Sequence, residues 1–227
     1  MIPFFAWSAL LLGVAGLYVS FFIAPPADYQ QGQSYKIMFI HVPAAWMSMF
    51  IYIIMCFWAA AGMIWNTRVS SMMAKSLAPT GAMFTFIALW TGALWGKPTW
   101  GAWWVWDARL TSELILFFLY VGFIALESSI DDPKRAARAS GLLALVGVVN
   151  IPIIYFSVVW WNTLHQPPSI TTQETNMGAS MLASILIMTF CFWFYTIAVA
   201  LTRVRTEILH KERNSEWVGD LMKEGDK

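Results

Sequence analysis

Residues 99–111 contain the densest group of side chains in the chain that could bind a ligand. Four tryptophans fall within seven residues, and an acid and a base follow them: Trp100, Trp103, Trp104, Trp106, Asp107 and Arg109. Indole rings are large, flat and polarizable, and each carries one N–H donor. Scattered tryptophans are enough to mark the interfaces of a membrane protein. This density therefore indicates a surface for a large, flat, aromatic ligand.

The chain has three histidines, His41, His165 and His210, and the first two share a local pattern. A proline follows each of them two positions on, which stiffens the backbone beside the imidazole. Imidazole is a standard axial ligand of haem iron, and two imidazoles can bind both faces of the ring. We therefore predict that His41 and His165 bind the iron of a haem lined by the four tryptophans. Arg109 is suited to a bidentate contact with a propionate.

Each of these residues also has a simpler interpretation. The histidines are also compatible with hydrogen-bonded surface residues, and the tryptophans are also compatible with an interfacial belt. At helical spacing Trp100, Trp103, Trp104 and Asp107 would share a face, and Trp106 would turn away from it. Asp107 is also suited to an N-cap. Glu113 is favoured by the dipole at a helix start, although a proton or ion role is open because ionisable groups within membranes are often functional.

Composition identifies a helical membrane protein. The chain has 227 residues, of which 59% are hydrophobic and only 12% charged, against about 25% charged in soluble domains. Its apolar runs are about 20 residues long, enough to span a bilayer as helix. Cys56 and Cys191 lie in such runs and are expected to be small core residues. No C-x-x-C-H motif for covalent haem attachment is present, and no pattern indicates a hydrolase, an ATPase or a nucleic-acid-binding protein.

The apolar pattern predicts an all-α fold with six transmembrane helices. They are expected at about residues 2–23, 37–65, 77–95, 110–126, 140–161 and 178–202. The first run is predicted to be a retained span because no Lys or Arg precedes it, unlike in a signal peptide. We divide the chain into a transmembrane domain, residues 1–202, with an external tryptophan loop at about 96–109, and a charged, partly helical tail, residues 203–227.

The basic residues predict the orientation. Most of the 14 lysines and arginines fall in loops 66–76 and 127–139 and in the tail; the opposite side holds only Lys36, Lys97 and Arg109. Basic loops stay in the cytoplasm, so both termini are predicted to be cytoplasmic. The outer face of the membrane is then shared by His41, the tryptophan stretch and His165. These come from separate hairpins and are far apart in sequence.

The run from Trp100 through Trp103-Trp104-Val105-Trp106-Asp107 to Thr111 resembles the WWD signature of haem-handling membrane proteins of cytochrome c maturation. The six spans and the motifs His41-Val-Pro and His165-Gln-Pro resemble the CcmC family in particular. The resemblance covers essentially the whole chain. It implies that the WWD segment binds haem outside the cytoplasm and that the external histidines, His41 and His165, are axial ligands.

The same resemblance implies partners and a place in the cell. It implies a bacterial inner-membrane protein that works with the ABC-transporter subunits CcmA and CcmB and the small protein CcmD. It would hand haem b, bound non-covalently and as ferric iron, to the periplasmic chaperone CcmE. The covalent step would use a histidine of that chaperone, so no enzyme activity is expected of this chain.

Two other functional classes stay open at this point. In a structural membrane subunit of a transporter, the tryptophans would be anchors and the histidines incidental. A quinone-reactive redox subunit would also use flat aromatic walls, but that class places its haem histidines at membrane depth. For the tail, a solvated cytoplasmic helix and a docking segment for a neighbouring subunit are both compatible with the sequence.

Overall fold

A computed structural model describes residues 1–24, 31–166 and 177–225 of the chain. Its helices are α1 (Ile2–Tyr18), α2 (Met38–Trp65), α3 (Arg68–Trp100), α4 (Ala108–Ser129), α5 (Pro133–Gly147), α6 (Asn150–Trp160), α7 (Ala179–Lys211) and α8 (Glu216–Gly225). A π-helical segment, Val19–Ile23, continues α1, and a 3-10 segment, Gln33–Ile37, leads into α2. The predicted all-α class is confirmed.

Six helical segments in the described ranges are long and apolar enough to cross a membrane, as predicted: Ile2–Ile23, Gln33–Trp65, Arg68–Trp100, Ala108–Ser129, Pro133–Trp160 and Ala179–Lys211. The helix α2 packs along α3, α1 packs on α7, and the core lies between α2, α3, α4 and α5. Its largest fully buried side chains include Tyr52 and Tyr120, whose hydroxyls donate to the carbonyls of Ala144 and Ser48.

The predicted loop at residues 66–76 is wrong, because α3 begins at Arg68 and only two residues separate it from α2. Asn66 ends α2 in the left-handed conformation (φ 52°), and Thr67 is extended. Hydropathy could not find this start because the first turns of α3 are polar. The far end was also placed too early: α3 continues through Pro98 and ends where Gly101 adopts φ 78°, which glycine tolerates without strain.

The fifth span is interrupted at residues 148–149, whereas the sequence predicts a continuous helix at residues 140–161. It begins at Pro133, because the Asp132 carboxylate caps the helix by accepting from the Arg135 N–H at 2.8 Å. It breaks between α5 and α6 because Pro152 has no N–H to donate to the carbonyl four residues earlier, that of Val148. The Ile151 N–H bonds that carbonyl instead at 3.0 Å.

The sixth span runs past its predicted end at residue 202, because α7 continues to Lys211. The first part of the tail is thus a helical extension of the span, and α8 follows it, as expected of a partly helical tail. The proposed division of the chain at residue 202 stays a prediction. Residues 25–30 and 167–176, which include the predicted turn at Pro25-Pro26 and the prolines after His165, lie outside the described residues.

Candidate functional site

A cleft at one end of the bundle joins five segments of the chain. They are the first turn of α2, the last turns of α3, the tryptophan segment, the start of α4, and the segment after α6. Its lining includes His41, Trp100, Trp104, Arg109 and His165. The three stretches that sequence analysis placed on one face therefore meet in space. Five of the eight predicted site residues line this cleft, and Trp103, Trp106 and Asp107 do not.

The two histidines face each other across the cleft. The centres of the His41 and His165 imidazole rings are 6.3 Å apart, and the ring planes make an angle of 35°. Metal–imidazole bonds are about 2 Å long, so two imidazoles that bind one metal ion from opposite sides hold their ring centres roughly 6 Å apart. The described residues contain no cluster of three or more metal-binding side chains. Two imidazoles at this spacing suit haem iron, whose four other ligands belong to the porphyrin.

His41 is oriented by the helix packed beside it. Its Nδ1 lies 3.1 Å from Thr91 Oγ1. The Thr91 hydroxyl donates to the carbonyl of Ile87, so its oxygen is left to accept the His41 Nδ1–H. The neutral imidazole of His41, which lines the cleft, then has an unprotonated Nε2. A second-shell acceptor that fixes the tautomer in this way is usual for metal-binding histidines.

Close approach of His41 to α3 requires the glycine at position 92. A Cβ atom there would lie 3.0 Å from Cε1 of His41 and 3.5 Å from its Nδ1. The first distance is shorter than ordinary van der Waals contact between carbon atoms. Gly92 thus sets how near the imidazole comes to Thr91.

His165 has an equivalent support from the backbone of the next residue. Its Nδ1 donates to the carbonyl oxygen of Gln166 at 2.7 Å, which again leaves Nε2 unprotonated. Burial lowers the pKa of the His165 imidazole below its ordinary value, and the Arg109 guanidinium lowers it further. The Gln166 hydrogen bond and Asp107 oppose this shift. The net lowering of the pKa favours the neutral ring, which is the form that binds metal.

The tryptophan segment is not helical between Gly101 and Asp107. The predicted shared helical face is therefore wrong. Trp100 and Trp104 are half-buried in the lining, whereas Trp103 and Trp106 are 55% and 75% exposed. Trp106 does turn away, as expected, but Trp103 does so too. Because this segment is not helical, helical spacing does not determine which of its tryptophans face the cleft.

The Trp104 indole N–H is buried and has no hydrogen-bond partner in the described part of the chain. An unpaired buried donor costs free energy, and each such group in a native structure calls for an explanation. Arg109 has spare donors as well: it makes one hydrogen bond to the described residues, from Nη1 to the carbonyl of Ile154. Two side chains of the same cleft could therefore donate to an anionic ligand group.

The cleft is narrow, with a volume of about 50 Å³. Ligand pockets usually measure about 300–1,000 Å³. A flat ligand the size of a porphyrin must therefore move side chains apart as it enters. Trp100 and Trp104 lie at the end of α3 and in the non-helical segment, so their displacement disturbs no helix interior. The spacing of the two imidazoles needs no such change.

Asp107 connects the tryptophan segment to the histidine segment. Its Oδ1 caps α4 by accepting from the Leu110 N–H at 2.8 Å, and its Oδ2 accepts from the Leu164 N–H at 3.3 Å. The expected N-cap is therefore present, and the second oxygen holds the residue before His165. Asp107 positions a histidine without lining the cleft.

Asparagine at position 107 is expected to separate these two functions. Asp107→Asn keeps an oxygen for the cap, at which asparagine is as good as aspartate, but places an amide NH₂ against the Leu164 N–H. Thermal stability should change little, while hydrogen–deuterium exchange at residues 161–166 should increase several-fold. Asp107→Ala should add a loss of about 1 kcal/mol in unfolding free energy. Equal exchange in wild type and Asp107→Asn would contradict this assignment.

Three further residues of the site were not selected from the sequence. Trp95 packs edge-on against His41, with ring centres 5.8 Å apart, and its indole N–H donates to Gln31. Thr91 and Gly92 support His41 from the interior of α3. No signal in one sequence marks a threonine or a glycine inside a span as a ligand support. Trp95 lies at the predicted end of the third span, four residues before the tryptophan stretch at residues 99–111, and the prediction did not include it.

Glu113 lies in the cleft wall, as an acid buried inside the protein. It is 7% exposed, and its Oε1 accepts from the Ser48 hydroxyl at 2.8 Å. The single hydrogen of the Ser48 hydroxyl is shared between this carboxylate and the Ala45 carbonyl, which is also 2.8 Å from the hydroxyl oxygen. The position in the first turns of α4 agrees with the helix-dipole interpretation, and Glu113 also lines the cleft.

Comparison with known protein families identifies the family of this chain. The family model CcmC, described as heme exporter protein C, matches residues 1–219. The chain belongs to the CcmC family. The predicted resemblance is therefore confirmed over nearly the whole chain, and the match includes every residue of the cleft.

Individual members of the CcmC family are similar at high identity. Heme exporter protein C of Escherichia coli K12 is 48% identical over 221 residues, which are 97% of this chain and 89% of that protein. The protein of the same name from Bradyrhizobium diazoefficiens is 47% identical over 216 residues, 95% and 81% of the two chains. A ccmC-like mitochondrial protein of cytochrome c biosynthesis from Marchantia polymorpha is 42% identical over 205 residues, 90% and 86% of the two.

Proposed function

We propose that this protein binds haem non-covalently in the cleft, with His41 and His165 as the axial ligands of the iron, and presents it to the periplasmic haem chaperone CcmE. The observation that carries the proposal is the pair of imidazoles with ring centres 6.3 Å apart. Their Nδ1 atoms are both engaged by acceptors, so both Nε2 atoms remain for iron. Membership of the heme exporter protein C family supports the same cargo.

The other cleft residues have separate roles in this scheme. Trp100 and Trp104 pack on the faces or edge of the porphyrin, and Trp104 and Arg109 offer donors to its propionates. Trp103 and Trp106 are exposed at the same end of the bundle, where they suit contact with lipid or with the chaperone. Asp107 holds the His165 segment in place. Haem is cargo here, and ligation by two neutral imidazoles suits ferric haem b.

Release requires that a partner reach the rim of the porphyrin. Axial ligation on both faces leaves only the edge accessible, so we propose that CcmE approaches at a vinyl group and forms the covalent bond with its own histidine. This chain would then act as holder and presenter, with no catalytic residue. ATP hydrolysis by CcmA, associated with CcmB and CcmD, would supply the energy for release.

We propose that the protein lies in the bacterial inner membrane with the cleft on the periplasmic side. The uneven distribution of lysine and arginine supports this orientation. The topology agrees with this orientation. One candidate span, α7, separates His165 from the tail, so the cleft and the tail would lie on opposite sides of the membrane. Both termini would then be cytoplasmic, and a protease added to right-side-out spheroplasts should cut neither of them.

Exchange of single tryptophans tests the proposed haem site against a merely structural one. Trp104→Phe removes a buried donor that lacks a partner and keeps an aromatic ring, so we expect the protein to fold but to bind haem about tenfold more weakly. The measurement is haem titration of the purified protein, followed by its absorption spectrum. Trp106→Phe is the matched control, because Trp106 is exposed and does not line the cleft.

The same titration distinguishes the other two functional classes. A structural subunit would contain no haem in any preparation, and both tryptophan variants would leave its assembly intact. A quinone-reactive subunit would show a quinone-dependent change in the haem spectrum, and the transfer of haem to CcmE would be absent. Wild-type protein that binds no haem would refute the proposed function.

A further inference from the structure

A second cavity lies at the opposite end of the bundle from the histidines, between α3, α4 and α7. Its volume is about 410 Å³, within the range of ligand pockets. Its lining combines the apolar side chains of Pro79, Phe123 and Ile124 with charged side chains, Lys75, Glu127, Arg203 and Glu207. A lining of both kinds matches an amphipathic ligand.

Arg203 of α7 is the charged group fixed most firmly in this cavity. Its Nη1 donates to the carbonyl of Ser76 at 3.1 Å and to Thr80 Oγ1 at 2.9 Å. Both acceptor residues are buried. No carboxylate lies within ion-pair distance of Arg203 in the described part of the chain. Its remaining N–H donors are thus held in position with their positive charge unpaired.

The two carboxylates of the lining are engaged by other groups. Glu207 is shared by two ammonium groups, at 3.3 Å from Lys75 and 3.0 Å from Lys211. Glu127, the other acid of the lining, accepts from the Ser140 hydroxyl at 2.7 Å. The lining therefore holds as many carboxylates as cations, but neither carboxylate pairs with Arg203 among the described residues, and the free donors of Arg203 suit an anion with several oxygens.

The position of the cavity along the helices identifies the source of such an anion. The α3 and α7 helices have 33 residues each, which makes them about 50 Å long, whereas the hydrocarbon core of a bilayer is about 30 Å thick. Lys75 near the start of α3 and Arg203 near the end of α7 therefore reach headgroup depth. Basic pockets between membrane helices at this depth bind acidic lipid headgroups.

We infer that this cavity binds an anionic phospholipid, with the headgroup phosphate on Arg203 and the start of the acyl chains on Pro79, Phe123 and Ile124. The lipid would join α3, α4 and α7 at the end opposite the haem cleft. Its binding does not depend on haem.

Full-length protein reconstituted into nanodiscs of phosphatidylcholine, with or without phosphatidylglycerol, tests this site. Native mass spectrometry then counts the lipids that remain bound after transfer to detergent. We expect wild type to retain one phosphatidylglycerol and to unfold at a higher temperature with that lipid than without it. Arg203→Gln should reduce this retention about tenfold. Arg205→Gln, the same charge change at an exposed position on the same helix, should retain the lipid as wild type does.

Three results would overturn the inference. They are equal retention of the two lipids by wild type, equal loss in Arg203→Gln and Arg205→Gln, and stabilisation of the detergent-solubilised protein by inorganic phosphate to the same extent as by phosphatidylglycerol. Should Arg203→Gln fail to fold, Lys75→Gln serves in its place, because it leaves the Arg203 hydrogen bonds intact. It should reduce retention less than tenfold but by more than Arg205→Gln.

Discussion

Replacing both His41 and His165 with alanine is expected to abolish the low-spin haem spectrum of the purified protein. The two imidazoles are the only cleft side chains in the described residues with nitrogen lone pairs for iron, and their ring centres already stand 6.3 Å apart. A single replacement should leave one ligand and a high-spin or mixed spectrum, because the remaining histidine holds its own acceptor, Thr91 or Gln166. Absorption spectra of the oxidised and reduced proteins measure this directly.

His210→Ala is the control for this experiment, since His210 lies in the last turn of α7, away from the cleft. It should bind haem with an unchanged spectrum. External imidazole should restore low-spin character to the single variants by taking the empty axial position. An unchanged low-spin spectrum in the double variant would show that other residues bind the iron.

A side chain at position 92 is expected to disrupt haem binding without unfolding the protein. In Gly92→Ala the new Cβ would lie 3.0 Å from Cε1 of His41, so the imidazole must move away from Thr91 and lose its orientation. We expect haem to bind at least tenfold more weakly, equivalent to about 1.4 kcal/mol, and Gly92→Val to bind more weakly still. Helix α3 itself should become more stable in Gly92→Ala, because alanine is more favourable than glycine inside a helix by about 1 kcal/mol.

The opposite directions of these two effects make the test specific. Thermal unfolding of the haem-free protein should be unchanged or shifted upward, while haem titration shows the loss. Gly219→Ala is a matched control in α8, where a Cβ meets no atom within 4 Å, and it should bind haem normally. Normal haem binding by both Gly92 variants would mean that the contact between α3 and His41 does not control ligation.

The sequence by itself determined the class of the protein and selected five of the residues that line the cleft. Spans of about 20 apolar residues are predictable because the bilayer, a solvent of fixed thickness, imposes their length. The lysine and arginine pattern likewise assigned His41, His165 and the tryptophans to one face. The WWD run then indicated the family, which the match to residues 1–219 confirmed.

Helix ends were the weaker part of the prediction, and each error has a local cause. Polar first turns concealed the start of α3 at Arg68 and of α5 at Pro133, because hydropathy measures burial in lipid and takes no account of backbone hydrogen bonds. The sequence predicts a helix end before Pro98. In the structure α3 continues through Pro98, and the Thr99 hydroxyl donates to the carbonyl of Trp95 at 2.7 Å in the last turn. Pro152 had the opposite effect and divided a span predicted to be continuous.

Only the tertiary structure decided which tryptophans line the cleft and what supports the histidines. Trp104 lines the cleft and Trp103 is exposed because the segment between α3 and α4 is not helical, so the direction of each side chain depends on how this segment joins the two helix ends. Thr91 and Gly92 contact His41 across 50 residues of sequence, through the packing of α3 on α2. Such contacts depend on helix rotation and separation, and no local pattern in the chain encodes either of them.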